Sequence, residues 1–216
     1  MKNNSTELVF ILDRSGSMKK LEKETIDGFN SMLEKQKKLD GNILVSTVLF
    51  DSFSEVIHDR IPIQNVQPLT EKDYQVGGNT ALLDAVGGAV RHIRNVHKYA
   101  RSEDVPEHTI FVITTDGHEN ASWYYDSDTV KEQIKKQTEK YGWEFLFLGA
   151  NLDAVETASR LGIRYAANYS HTPQGVYAAH LAASEAIGIV HQNLEIDNVN
   201  WQKFIDENEL KKGGIQ

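Results

Sequence analysis

Short apolar runs alternate with helix-periodic stretches from near the start of this chain to about residue 192, and that alternation constrains the fold most. Strands joined through helices require right-handed crossovers, hence a mostly parallel sheet with helices on both faces. Residues 7–12 (ELVFIL) read as a continuous apolar strand of the doubly covered kind. Met18, Leu21, Thr25, Phe29, Met32 and Leu33 then recur at three- and four-residue steps among Lys and Glu. This spacing predicts an amphipathic helix of about five turns, with Ser17 as its N-cap.

Segments 43–50 and 53–61 are close enough to form a hairpin, which makes one strand antiparallel. Residues 81–99 read as a helix whose Gly87-Gly88 pair signals close packing. A third buried strand, 109–114, ends in Thr115-Asp116-Gly117. A polar helix over about 127–141, strand 143–149, a short helix at 152–161 and an edge strand at 163–169 follow. Thr172-Pro173 opens a last helix, 173–192, rich in Ala and Gly and so able to lie close on the sheet. The expected architecture is α/β and doubly wound. One domain spans 1–194, and an extension, 195–216, packs on it through Trp201, Phe204, Ile205 and Leu210 in a helical turn or two, or serves as a partner-binding tail.

Composition narrows the function. With 216 residues, 40% of them hydrophobic, the chain can bury a substantial core. No run approaches the roughly 20 apolar residues that span a bilayer, and MKNNSTELVFILD does not read as a signal peptide. The absence of cysteine removes disulfides, thiolate metal sites and cysteine nucleophiles, and fits a cytoplasmic address. A net charge of −8 argues against binding nucleic acid through its phosphates.

The stretch FILDRSGSM, residues 10–18, ends an apolar run on Asp13 and sets two hydroxyls, Ser15 and Ser17, two apart behind it. Ligands of open α/β sheets collect at the carboxyl ends of parallel strands. Asp116 ends another such strand, and Thr80 follows the flexible Gly77-Gly78 pair. Asp13, Ser15, Ser17, Thr80 and Asp116 are therefore expected to converge. All are hard oxygen donors, which suit Mg²⁺ or Mn²⁺ rather than zinc or copper. Two carboxylates leave a divalent ion close to neutral, so it retains affinity for a further negative ligand, such as a partner's Asp or Glu. Four carboxylates would repel that partner.

The set Asp13-x-Ser15-x-Ser17, Thr80 and Asp116 resembles the metal-ion-dependent adhesion site (MIDAS) of von Willebrand factor type A (VWA) domains, over an order of elements from about 7 to 192. That resemblance implies a Rossmann-like fold and direct metal ligation by Ser15, Ser17 and Thr80, with Asp13 and Asp116 acting partly through water. LDRSGSM with TDGHEN is more similar to stand-alone bacterial and phage VWA proteins than to animal adhesion modules. Cytoplasmic relatives of that kind serve as adaptors to other proteins, AAA+ ATPases included. In integrin-type relatives the last helix slides when the metal exchanges a ligand, and 173–192 is expected to be able to do the same.

Around the site, Arg14 is expected to face solvent or pair with an acid, and Asp51 to serve the hairpin turn. Asp84 favours its helix dipole or supports the metal from behind. His118 and Glu119 are expected at an exposed rim. His92, His97, His180 and His191 lack metal-ligand spacing. Trp123, Tyr124 and Tyr125 form either an aromatic rim for protein recognition or packing under the next helix. The function expected is an adaptor whose Mg²⁺ captures an acidic side chain, not an enzyme. The alternative is a metal-dependent phosphate-ester hydrolase. Against it, Ser15 stands where aspartyl-nucleophile phosphatases carry a second acid, and no Gly-x-Ser-x-Gly elbow or P-loop is present.

Overall fold

β1 (Ser5–Asp13) is buried along nearly its whole length, its side chains alternating between two cores. A computed structural model of the chain describes residues 5–150 and 154–213. Leu8, Phe10 and Leu12 face one layer of helices, and Val9 and Ile11 face the other. The remaining strands are β2 (Asn42–Phe50), β3 (Ser54–Pro62), β4 (His108–Thr115), β5 (Glu144–Gly149) and β6 (Tyr165–Asn168). They form one sheet in the order β3-β2-β1-β4-β5-β6, in which only the β2–β3 pair is antiparallel. The order reverses between β1 and β4, so their carboxyl ends flank the crevice where such sheets bind ligands.

Helices α1 (Glu22–Gln36), α5 (Pro173–His191) and α6 (Asn198–Gly213) cover the first core. Helices α2 (Leu82–Tyr99), α3 (Ser127–Tyr141) and α4 (Ala154–Arg160) cover the second. Of the segment 152–161 expected to be helical, 152 and 153 lie outside the described residues. The first helix differs from its expected form. Gly16–Lys20 is a short 3₁₀ turn and α1 starts at Glu22, because Ser17 is drawn to a carboxylate and does not cap backbone N–H groups. Thr172 does cap α5, accepting from the Gly175 N–H ahead of the expected Pro173 start. No described helix is long and apolar enough to cross a membrane.

Small residues set the packing distances on both faces. A Cβ at Gly87 would fall 2.5 Å from Tyr125 Cδ1, whereas Gly88 faces open space, so only the first of the pair is needed for contact. At the α1–α5 contact, a Cβ on Gly28 would lie 2.8 Å from His180 Nδ1 and 2.9 Å from its Cγ. Gly28→Ala is therefore expected to cost about 1–3 kcal/mol of overpacking, read as a lower urea midpoint at unchanged m-value. His180 is buried and its Nδ1 lies 2.9 Å from the Val176 carbonyl. Burial holds its pKa below the ordinary 6.5, with the carbonyl bond opposing. The folded state prefers the neutral ring, so its stability is retained above that value and declines as pH falls below it.

Helix α5 is also held by side chains. His191 Nδ1 meets Thr6 Oγ1 at 2.8 Å, and its Nε2 donates to the Asp40 carbonyl at 2.7 Å. Gln36 Nε2 donates to Ser184 Oγ at 2.7 Å, and Trp201 Nε1 to the Ala182 carbonyl at 2.9 Å. Sliding α5 would break these buried bonds together, at roughly 1 kcal/mol each.

Candidate metal site

Asp13 ends β1 beside the end of β4, where Leu12 pairs with Thr114. Its Oδ1 accepts the Ser15 N–H at 2.7 Å and its Oδ2 the Thr115 hydroxyl at 2.6 Å. The buried Tyr74 hydroxyl donates to the Asp13 carbonyl. Ser15 and Ser17 place their Oγ atoms 3.1 Å apart, and Ser17 Oγ donates to Asp116 Oδ1 at 2.6 Å. Asp116, its side chain 1% exposed, pairs through Oδ2 with His171 Nε2 at 2.7 Å.

The Thr80 loop is tied to both others. Gly16 N–H donates to the Gly78 carbonyl at 3.2 Å and Gly77 N–H to the Arg14 carbonyl at 3.0 Å. Thr80 N–H donates to Asn120 Oδ1 at 2.9 Å. A Cβ on Gly117 would fall 2.7 Å from Thr80 Oγ1, so that hydroxyl lies against the residue after Asp116. Ser15, Ser17 and Asp116 form one bonded chain, Asp13 adjoins it, and Thr80 closes the side formed by residues 116–117.

Burial pushes the Asp13 pKa above 3.8. Bonds from Thr115 and Ser15 pull it partly back, and the charge of Asp116 raises it further. Burial likewise raises the Tyr74 phenol, helped by Asp13, and the Tyr169 phenol, helped by Asp116 and Asp13. The neighbouring cation, Arg14, is taken up elsewhere. It pairs with Asp51 at 3.1 Å and Glu55 at 2.7 Å, while Asp51 Oδ1 also closes the hairpin turn onto Phe53 N–H. A buried carboxylate held only by neutral donors, beside a second carboxylate, leaves negative charge that a cation would balance. The donors are oxygens in a near-neutral set, so the residues fit Mg²⁺ or Mn²⁺. Among the described residues no cluster of three or more His, Cys, Asp or Glu could hold an ion, so any ion here depends on hydroxyls.

Three surrounding residues make contacts that the sequence does not announce. Asp84 stands in the first turn of α2, as expected, and takes the backbone N–H groups of Trp123, Tyr124 and Tyr125 at 2.8, 2.8 and 2.9 Å, so it also shapes the aromatic loop. Glu119 accepts from Leu83, Ala121 and Ser122 N–H, and so anchors its loop to the first turn of α2. His171 carries no motif at all, and only the fold brings it to Asp116. The aromatic cluster is split: Trp123 and Tyr124 are 90% and 87% exposed, whereas Tyr125 packs on Gly87.

No protein-family model and no curated protein sequence matches the chain. Solved structures do. Proximal thread matrix protein 1 from the mussel byssus is 13% identical with a TM-score of 0.58, over 83% of this chain and 47% of its own. The von Willebrand factor type A protein from Catenulispora acidiphila is 12% identical with a TM-score of 0.54, over 83% and 42%. The fold is a von Willebrand factor type A fold. A manganese-loaded Plasmodium vivax TRAP protein matches the same VWA fold at 14% identity and a TM-score of 0.54, over 79% of this chain and 70% of its own. The chain thus spans under half the length of the first two. At such identities the likeness concerns the VWA fold alone, and the site is argued from its own side chains.

Proposed function

We propose that the protein is a metal-dependent protein-binding module. Ser15, Ser17, Thr80, Asp13 and Asp116 hold Mg²⁺ or Mn²⁺, and an acidic side chain of a partner completes the site. The bound ion supplies one positive centre with an open position for a carboxylate. The observation that carries the reading is the Ser15–Ser17–Asp116 chain of short contacts, beside a buried Asp13 whose donors are neutral. The manganese of the TRAP structure supports the choice of ion.

Trp123 and Tyr124 give the partner an apolar rim. Their loop is fixed by Asp84 before any partner arrives, so little entropy is lost in ordering it on binding. An acidic loop of an AAA+ ATPase, in a cytoplasmic setting, is one partner this surface would accept.

The test is a Mn²⁺ titration by electron paramagnetic resonance, followed by acidic and matched amide peptides. Trp143 and Trp201 are buried, so a blue shift in emission reports on Trp123. Acid-containing peptides should produce the shift only with metal. Trp123→Ala should leave Mn²⁺ affinity unchanged and weaken peptide binding, followed by anisotropy, about tenfold or more. Equal binding of acid and amide peptides, or no effect of EDTA, would refute the reading.

A further inference from the structure

A second site lies at the other end of the sheet. A cavity of about 480 Å³ opens between the carboxyl-terminal turns of α2 and α3 and the amino ends of β4 and β5. Arg94 and Lys98 from α2 and Lys136 from α3 line it, and among the described residues no carboxylate does. In a chain of net charge −8, three cations around one hollow are a local inversion of sign. Part of that charge complements the helix ends. Two carboxyl termini contribute about half a negative charge each. Three formal positive charges exceed the roughly one negative charge of those two helix ends.

The walls add two further features. Gln137 is 1% exposed and lines the cavity, and its amide Nε2 has no hydrogen-bond partner among the described residues. A buried donor left without an acceptor is costly unless a ligand supplies one. Trp143, 3% exposed, is the rigid apolar floor beneath the cavity, stacked on Phe111 at 5.4 Å and 19° and edged by His97 at 5.4 Å. His97 is itself held by the buried Glu7 at 3.2 Å, whose carboxylate Arg60 also binds at 2.9 Å. That acid is therefore occupied behind the floor.

We infer that this cavity binds a small organic phosphate, with its anionic head against Arg94, Lys98, Lys136 and the Gln137 amide and its organic body along the apolar side formed by Val105, Pro106 and Tyr141. The volume lies within the range of small-molecule pockets, with an apolar wall and a few convergent polar groups as such sites have. The inference is independent of the metal site, since it uses neither those residues nor that end of the sheet.

Adenosine 5′-monophosphate, adenosine and inorganic phosphate serve as probes of the full chain, followed by amide chemical shifts without added metal. The monophosphate should give saturable shifts at residues 94–98 and 136–143 and bind more tightly than either fragment. Arg94→Ala with Lys98→Ala should weaken it at least about tenfold, the worth of one charge-assisted contact. Gln137→Leu should leave the free protein's Tm equal or higher while lowering affinity, because it removes a donor that only the ligand satisfies. Absence of saturable shifts, equal binding of adenosine and its monophosphate, or unchanged affinity in the double variant would each overturn the proposal.

Discussion

Replacing Asp13 with alanine is expected to abolish stabilisation by Mn²⁺. In the unsubstituted protein, an ion at about a hundred times its Kd should add about 2.7 kcal/mol of stability, visible as a rise in Tm. The variant should show none at the same concentration. Alanine also strands the Ser15 N–H and the Thr115 hydroxyl, so a lower Tm before metal addition is expected as well. Asp13→Asn separates the two effects. Thr115 Oγ1 lies 3.2 Å from the Gly117 carbonyl, so it can donate there and accept from the new amide. The metal-free asparagine variant should keep its stability to within about 1 kcal/mol and still lose the metal response.

The same carboxylate sets a pH dependence. Burial raises the Asp13 pKa in the fold, so without metal its contribution is fully present below about 3.8 and is lost as pH rises through the higher folded value. Bound metal needs the ionised form and reverses that loss. The difference between loaded and metal-free Tm should therefore widen as pH rises through the elevated Asp13 value, and be lost below it. A metal response that survives in Asp13→Asn, or that is flat across this range, would show that any ion sits elsewhere.

The alternation of apolar runs and helical periods was sufficient to read the doubly wound sheet and its antiparallel edge. Each half of that pattern reflects burial on one or two faces, which is local in sequence. The convergence of Ser15, Ser17 and Asp116 was equally legible, since strand ends and flanking hydroxyls are visible one loop at a time. What the sequence hid was pairing between loops. Ser17 reads as a helix cap because a hydroxyl before an apolar helix usually is one, and nothing local announces that Asp116 accepts its hydrogen bond. His171 and Asp84 were opaque for the same reason: their partners lie 55 and about 40 positions away. The length of the last helix is hidden as well. A turn or two was expected, but α6 runs 16 residues, because an otherwise polar helix needs only a narrow apolar stripe to dock.

That stripe makes the second large effect a matter of stability. Trp201 is 4% exposed and Ile205 0%, one turn apart, and both belong to the core shared with α5. Gln202, on the same helix, accepts the Asn168 N–H at 2.8 Å and donates to the Asn168 carbonyl at 3.0 Å. Asn168 ends the edge strand β6, so this amide satisfies backbone groups that another strand would otherwise pair, and it blunts the edge. Trp201→Ala deletes an indole from the core and the Nε1 bond to Ala182 together. The expected cost is about 3–5 kcal/mol, a fall in Tm of roughly 6–20 °C for a domain of this length. Leu210→Ala, at a side chain 77% exposed on the same helix, should stay within about 0.5 kcal/mol. If α6 were a tail lying loosely on the surface, the two substitutions would be indistinguishable in a urea titration. A drop confined to Trp201→Ala, with Mn²⁺ stabilisation intact in both, would mean that α6 completes the core and that its docking is energetically independent of the metal site.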